Sequence, residues 1–154
     1  MEFKVNQNVV HLSHGVGIVK GIVERQFEEK TVKAYIIEIN DNNCPKKVFV
    51  PFENSSTRLR AIMDKKTAEA VLEYIHCEMP DHSLDGQTWN MRYREYMERM
   101  HTGDAKQIAE VFVALRALRA EKDLSFGERK LLEQARELLS KEFALLGMSL
   151  PQQD

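Results

Sequence analysis

Trp89 is the chain's one tryptophan, and Arg92 and Arg94 follow it at three and five residues. A flat ring with cations at that spacing can do one kind of chemistry. The ring can wedge against a base step while the guanidinium groups hold phosphates. The polar run Asp81-His82-Ser83-Leu84-Asp85-Gly86-Gln87-Thr88 just ahead of it argues for exposure. The opposing reading is structural. Trp89 continues a helical stripe through Tyr93, Met97 and Met100, and a tryptophan on such a stripe is more often core. The residues alone leave both readings open. Arg129 and Lys130, at the start of a later helix, are open in the same way. They could serve phosphates, or be solvated charges, with Glu95, Glu98 and Glu128 nearby for surface pairs worth ~0.2–1 kcal/mol.

Other clusters carry less. Lys46 to Val50 reads as a short edge strand that could accept a partner strand through its backbone. Lysines on an edge also guard against aggregation, so the strand alone decides nothing. Tyr35, Phe49 and Phe52 could form an aromatic cage for a methylated cation, although barrel aromatics more often fill a core. His11 with His14, and His76 with Cys77, lack the ligand spacing of structural zinc sites. No phosphate loop, nucleophile elbow or paired-carboxylate signature occurs. The reading is therefore a non-enzyme with no catalytic residues, no metal and no cofactor.

The elements that must position these residues change character near Asp64. Before it the hydrophobic period is two. Val9, Val10 and Leu12 begin a strand, and His14-Gly15-Val16-Gly17 turns into Ile18–Val23. Thr31–Ile39 is β-branched and aromatic, and Asp41-Asn42-Asn43-Cys44-Pro45 turns into Lys47–Val50, which Pro51 stops. Strands at this spacing in about 60 residues predict a small SH3-like or Tudor-like barrel. After Asp64 the period is 3.6. Asp64 caps a helix carrying Ala68, Val71, Leu72 and Ile75, ended by Met79-Pro80. Trp89–Met100 forms a second, with Tyr93, Met97 and Met100 inward. Asp104 caps a third that buries Ile108, Val111, Phe112, Leu115 and Leu118. Ser125-Phe126-Gly127-Glu128 is a capping box opening a long last helix, which runs through Leu131, Leu132, Ala135, Leu138, Leu139 and Phe143 to Gly147. The fold class is α+β: a Tudor-like β module over 1–62, an all-helical module over 63–148, and a frayed tail over 149–154.

Composition fits that division. The 154 residues are 43% hydrophobic and 30% charged with a net charge of −2, which suits a soluble globular chain. Residues 1–63 hold nine Lys/Arg and seven Asp/Glu; residues 64–154 hold 13 and 17. The helical half is thus acidic, and any nucleic-acid contact must come from a local basic patch. No apolar run approaches the ~20 residues of a membrane helix. No signal-peptide pattern opens the sequence, and two cysteines make no disulfide framework, so a cytoplasmic monomer is expected.

In order and spacing the residues resemble the CarD/CdnL family of bacterial transcription regulators over nearly the whole chain. The N-terminal likeness rests on Phe3-Lys4-Val5, Val9-Val10, His14-Gly15-Val16-Gly17, the strand to Arg25, and Val50-Pro51. The C-terminal likeness rests on Trp89-x-x-Arg92-Tyr93, Thr102-Gly103-Asp104, Ile108-Ala109-Glu110-Val111, Leu124-Ser125-x-Gly127-Glu128, Ala135-Arg136 and Lys141-Glu142-Phe143-Ala144-Leu145. The resemblance implies an N-terminal module that binds the β subunit of RNA polymerase, with Arg25 at the contact; from their own chemistry Lys46, Lys47 and Phe49 could join Arg25 there, or form an ordinary exposed barrel face. It implies a helical domain that meets promoter DNA at the upstream edge of the melted bubble. Trp89 is then a minor-groove wedge that supports the open complex, with Arg92, Arg94, Arg129 and Lys130 facing DNA. Many members carry a basic residue where this chain has Met91, and often an arginine where it has Phe49. The alternative is a polymerase-binding adaptor with little direct DNA contact.

Overall fold

The computed structural model describes residues 3–41, 44–77 and 86–151. Contacts divide the chain into two compact units, Met1–Ile62 and Met63–Asp154.

The first unit is a five-stranded antiparallel sheet. Its strands are β1 (Asn8–His11), β2 (Gly15–Phe27), β3 (Lys30–Asp41), β4 (Cys44–Pro51) and β5 (Leu59–Ala61), in the order β4-β3-β2-β1-β5. A 3-10 turn, Phe52–Asn54, and a four-residue helix α1, Ser55–Arg58, carry the chain from β4 to β5. Alternation assigns the faces. Val9, Val19, Tyr35, Ile37, Ile39, Val50 and Leu59 join Phe3 in one buried cluster, and their neighbours in sequence point the other way. Lys20 is an extra residue between the pairs Val19↔Ile37 and Gly21↔Ile36, a bulge that bends the long hairpin.

The chain is α+β as expected, but the sheet is open. Among the described residues β4 and β5 are its two edges, because β5 has three residues and pairs β1 alone. The aromatic-cage reading also fails. Tyr35 is 1% exposed, its hydroxyl accepts from the Phe3 N–H at 3.1 Å, and Phe52 stacks on it at 4.3 Å. Phe49 pairs with Ile36, one register step away, and therefore lies on the opposite face. Tyr35 and Phe52 build core.

The second unit holds α2 (Lys65–Cys77), α3 (Trp89–His101), α4 (Ala105–Glu121) and α5 (Phe126–Leu145). The capping chemistry explains their starts. The Asp64 carboxylate accepts from the Thr67 N–H at 2.7 Å, and this bond holds its pKa below the usual value. Thr88 accepts from Met91 N–H, Asp104 from Lys106 N–H, and Ser125 with Glu128 forms a full capping box. At the far end of α5, Met148 N–H returns to the Phe143 carbonyl and Gly147 N–H to the Ala144 carbonyl, with Gly147 at φ +72°. That is a Schellman ending. Met148 and Leu150 then pack on the core, and Arg136 donates to the Pro151 carbonyl at 3.3 Å. Residues 149–151 of the expected tail are thus held against α5; 152–154 lie outside the described residues, as does the Met79-Pro80 helix end.

The helix α4 is the centre. Ala105, Ile108, Ala109, Val111, Phe112, Val113 and Leu115 are all buried, and α2, α3 and α5 each pack against it. Each large side chain so buried contributes about 1.5–3 kcal/mol relative to exposure. No helix among the described residues is long and apolar enough to cross a membrane.

Candidate functional site

Trp89 is the first residue of α3, fixed there by its neighbour. Thr88 caps the helix, and the Arg92 N–H closes the first turn on the Thr88 carbonyl at 3.0 Å. The ring is half-buried and packs against the helical core. Its stripe differs from the expected one. Tyr96 and Met100 are the buried residues of α3, while Tyr93 is 39% exposed and tilts against Trp89 at 5.4 Å. The inward face is therefore 89, 96 and 100, with Tyr96 replacing Tyr93. At about 100° per residue, Tyr96 and Met100 fall within about 20° of Trp89, closer than Tyr93 does. Trp89 is thus the rim of the core, with features of both readings. The polar run before it, 81–85, lies outside the described residues.

Cations and aromatics frame that rim. The Arg92 guanidinium lies over the Trp89 ring, its Cζ 5.6 Å from the centroid. Its Nε is buried and has no hydrogen-bond partner among the described residues. The ring also meets α5, where a Cβ built on Gly127 would come within 3.3 Å of Trp89 Cζ2. This contact brings the start of α5 to Trp89. Phe126, one residue earlier, is 77% exposed. Lys130 and Arg129 are exposed too, on different sides. At about 100° per residue Lys130 falls on the Gly127 side of α5 and Arg129 on the far side. Arg94, exposed, lies about 140° around α3 from Trp89. The structure therefore gathers Trp89, Arg92 and Lys130, and sets Arg94 and Arg129 further round their helices. From sequence Phe126 and Gly127 were legible only as part of the capping box and, for Gly127, of the family motif, and neither had a place beside Trp89. Phe126 could have been found, because it falls opposite the Leu131–Ala135 stripe; the approach of Gly127 to Trp89 is tertiary and has no local signal.

On the sheet, Arg25 and Phe49 come together. The Arg25 guanidinium lies 4.4 Å from the Phe49 centroid, a cation–π contact worth about 0.5–1 kcal/mol at an exposed site. Register puts them with Ile36 on the face away from the core. Lys47, opposite Glu38, shares that face, and Lys46, opposite Ile39, points to the other. All four belong to or adjoin β4, whose outer edge has no strand partner among the described residues. His11, the last residue of β1, is buried, its Nδ1 accepting from the Ser13 N–H at 3.1 Å. Burial first, then His14 and Arg58, holds its pKa down at about 4. No cluster of three or more potential metal ligands exists among the described residues.

Comparison with known proteins matches both units. The family model described as the CarD-like/TRCF RID domain covers residues 3–63, and that described as the CarD C-terminal domain covers residues 70–152. A protein of Bacillus subtilis (strain 168) named "Putative transcription factor YdeB" is 28% identical over 145 residues, spanning 94% of this chain and 92% of the relative. With its sheet unit and its helical unit each matched, the chain belongs to the CarD/CdnL family.

Proposed function

We propose that this protein is a non-enzymatic transcription regulator that binds RNA polymerase through its sheet and promoter DNA through the rim of its helical unit. The family match supports the coarse reading. The Arg92–Trp89 pair at the rim of the helical core carries the finer one. The protein docks on the polymerase β subunit through Arg25, Phe49 and Lys47, with Lys46 on the opposite face of β4 and the open β4 edge offering backbone donors and acceptors to a partner strand. Trp89 meets the minor groove at the upstream edge of the bubble, where base steps are already distorted. Unstacking an intact step costs a few kcal/mol, and an aromatic wedge replaces part of the lost stacking. Arg92 and Lys130 neutralise phosphates beside it, with Arg94 and Arg129 as outer contacts. A protein that binds the melted promoter better than the closed one shifts the population toward it. Readout of sequence should be weak, since the minor groove displays a degenerate pattern. The protein then works in the cytoplasm, where polymerase is.

The half-burial of Trp89 favours one competitor, a polymerase adaptor with little DNA contact. The dissociation lifetime of open complexes separates the two. The wild-type protein should lengthen it, and Trp89→Ala should abolish the lengthening while still co-purifying with polymerase. Equal lengthening by Trp89→Ala would leave the adaptor.

A further inference from the structure

We propose that Gly127 is the positioning residue for Trp89: its missing side chain is the seat on α5 against which the indole is held and aimed. The inference rests on the reading that Trp89 meets DNA. Gly127 is the second residue of α5, in helical conformation with no positive φ. Its backbone does not require glycine there, and glycine weakens a helix relative to alanine. Something other than local conformation must favour it. The space where its Cβ would stand supplies the reason, because the nearest atom is Trp89 Cζ2 at 3.3 Å, and no other atom of the described residues outside the helix comes within 4 Å.

A methyl group at that spot is tighter than ordinary van der Waals contact, so the indole has to move. A shift of a few tenths of an ångström relieves the contact, and its direction is limited. Thr88 fixes the start of α3, Arg92 covers the ring, and Tyr93 leans on it. A displaced ring changes its distance to Arg92 and to the start of α5, where Lys130 and the exposed Phe126 stand. The capping box beside it is held by two reciprocal hydrogen bonds. Ser125 accepts from the Glu128 N–H at 3.3 Å, and Glu128, 2% exposed, accepts from the Ser125 N–H at 2.9 Å. The seat is therefore built on a fixed turn, and the glycine sets where the wedge points.

The test uses the full chain with polymerase. Gly127→Ala should leave the thermal midpoint unchanged or raised, as expected for alanine in a helix. The fluorescence maximum of Trp89, the chain's one tryptophan, should shift in the free protein. The open-complex lifetime should shorten about threefold or more relative to wild type, the scale of coupling between residues in contact. Trp89→Phe lacks the atom that meets the seat, so adding Gly127→Ala to it should have no further effect on lifetime. A Gly127→Ala protein with wild-type fluorescence and wild-type lifetime would overturn the inference. So would a lowered midpoint that accounts for the lost lifetime, or an equal loss in the Trp89→Phe background. If Trp89→Ala itself leaves lifetime unchanged, the DNA reading fails, and the fluorescence of Gly127→Ala alone decides the seat.

Discussion

His11 shows how a single residue's charge state ties to folding. Its Nδ1 accepts the Ser13 N–H, a bond that needs the nitrogen unprotonated, and burial holds its pKa at about 4 against 6.5 for the free side chain. The unfolded chain therefore binds the proton more readily. The stability from neutral His11 is complete above pH 6.5 and is lost as pH falls toward 4. Between pH 6.5 and 5 the loss should be about 1.5 kcal/mol. Denaturant titrations should show it, and His11→Phe, which cannot titrate, should flatten the dependence over that window. A variant with the same slope as wild type would assign the effect to other groups. At this scale the sequence made Trp89 and Arg92 legible as a pair, because they share a helical face at a spacing of three. It could not divide Trp89 between core and surface. That depends on Tyr96 taking the inward position and on Gly127 arriving from another helix.

Elements were legible where local chemistry writes them. Asp64, Asp104 and Ser125 each cap a helix with a side chain whose type and place are legible in sequence, whereas Thr88, which caps α3, reads there only as the end of a polar run. Closure of the sheet was not legible, because strand spacing reveals pairing partners along the chain and not whether the two ends meet. A buried link between elements was also invisible: Glu142 of α5, 3% exposed, accepts from the Met63 N–H at 2.8 Å. Glu142→Ala leaves that donor buried without this acceptor and should cost about 1–3 kcal/mol. Glu142→Gln, which keeps an oxygen there, should cost less. Equal losses would mean the carboxylate charge matters and not this bond. On the sheet face, Arg25 and Phe49 are exposed and solvent can replace their contact. Arg25→Glu should therefore change stability by no more than about 1 kcal/mol yet disrupt co-purification with the polymerase β lobe. Retained co-purification would remove this face from the docking surface.

Across the whole molecule, charge limits what DNA binding can look like. The net charge is −2, and residues 64–154 carry an excess of four acids. On the proposed function, affinity for duplex DNA therefore comes from the local patch around Trp89 and not from the charge of the whole chain. If Arg92, Arg94, Arg129 and Lys130 all met phosphates, the slope of log affinity against log salt would be about −3.6 at most in magnitude, and Lys130→Ala should reduce it by about 0.9. Binding isotherms on a forked promoter fragment over a salt series would measure both. A much steeper slope would place the contact elsewhere. The two surfaces should also be separable, with Arg25→Glu losing polymerase and Trp89→Ala keeping it.

Whether the Trp89 rim touches promoter DNA in the open complex decides the proposed function. Site-specific photo-crosslinking tests it most directly, with a photoreactive phenylalanine analogue in place of Trp89 and the assembled polymerase–promoter complex irradiated. Contact between Trp89 and the promoter gives crosslinks to nucleotides at the upstream edge of the bubble. Crosslinks to polymerase alone, from a protein that remains bound to the complex, would contradict it.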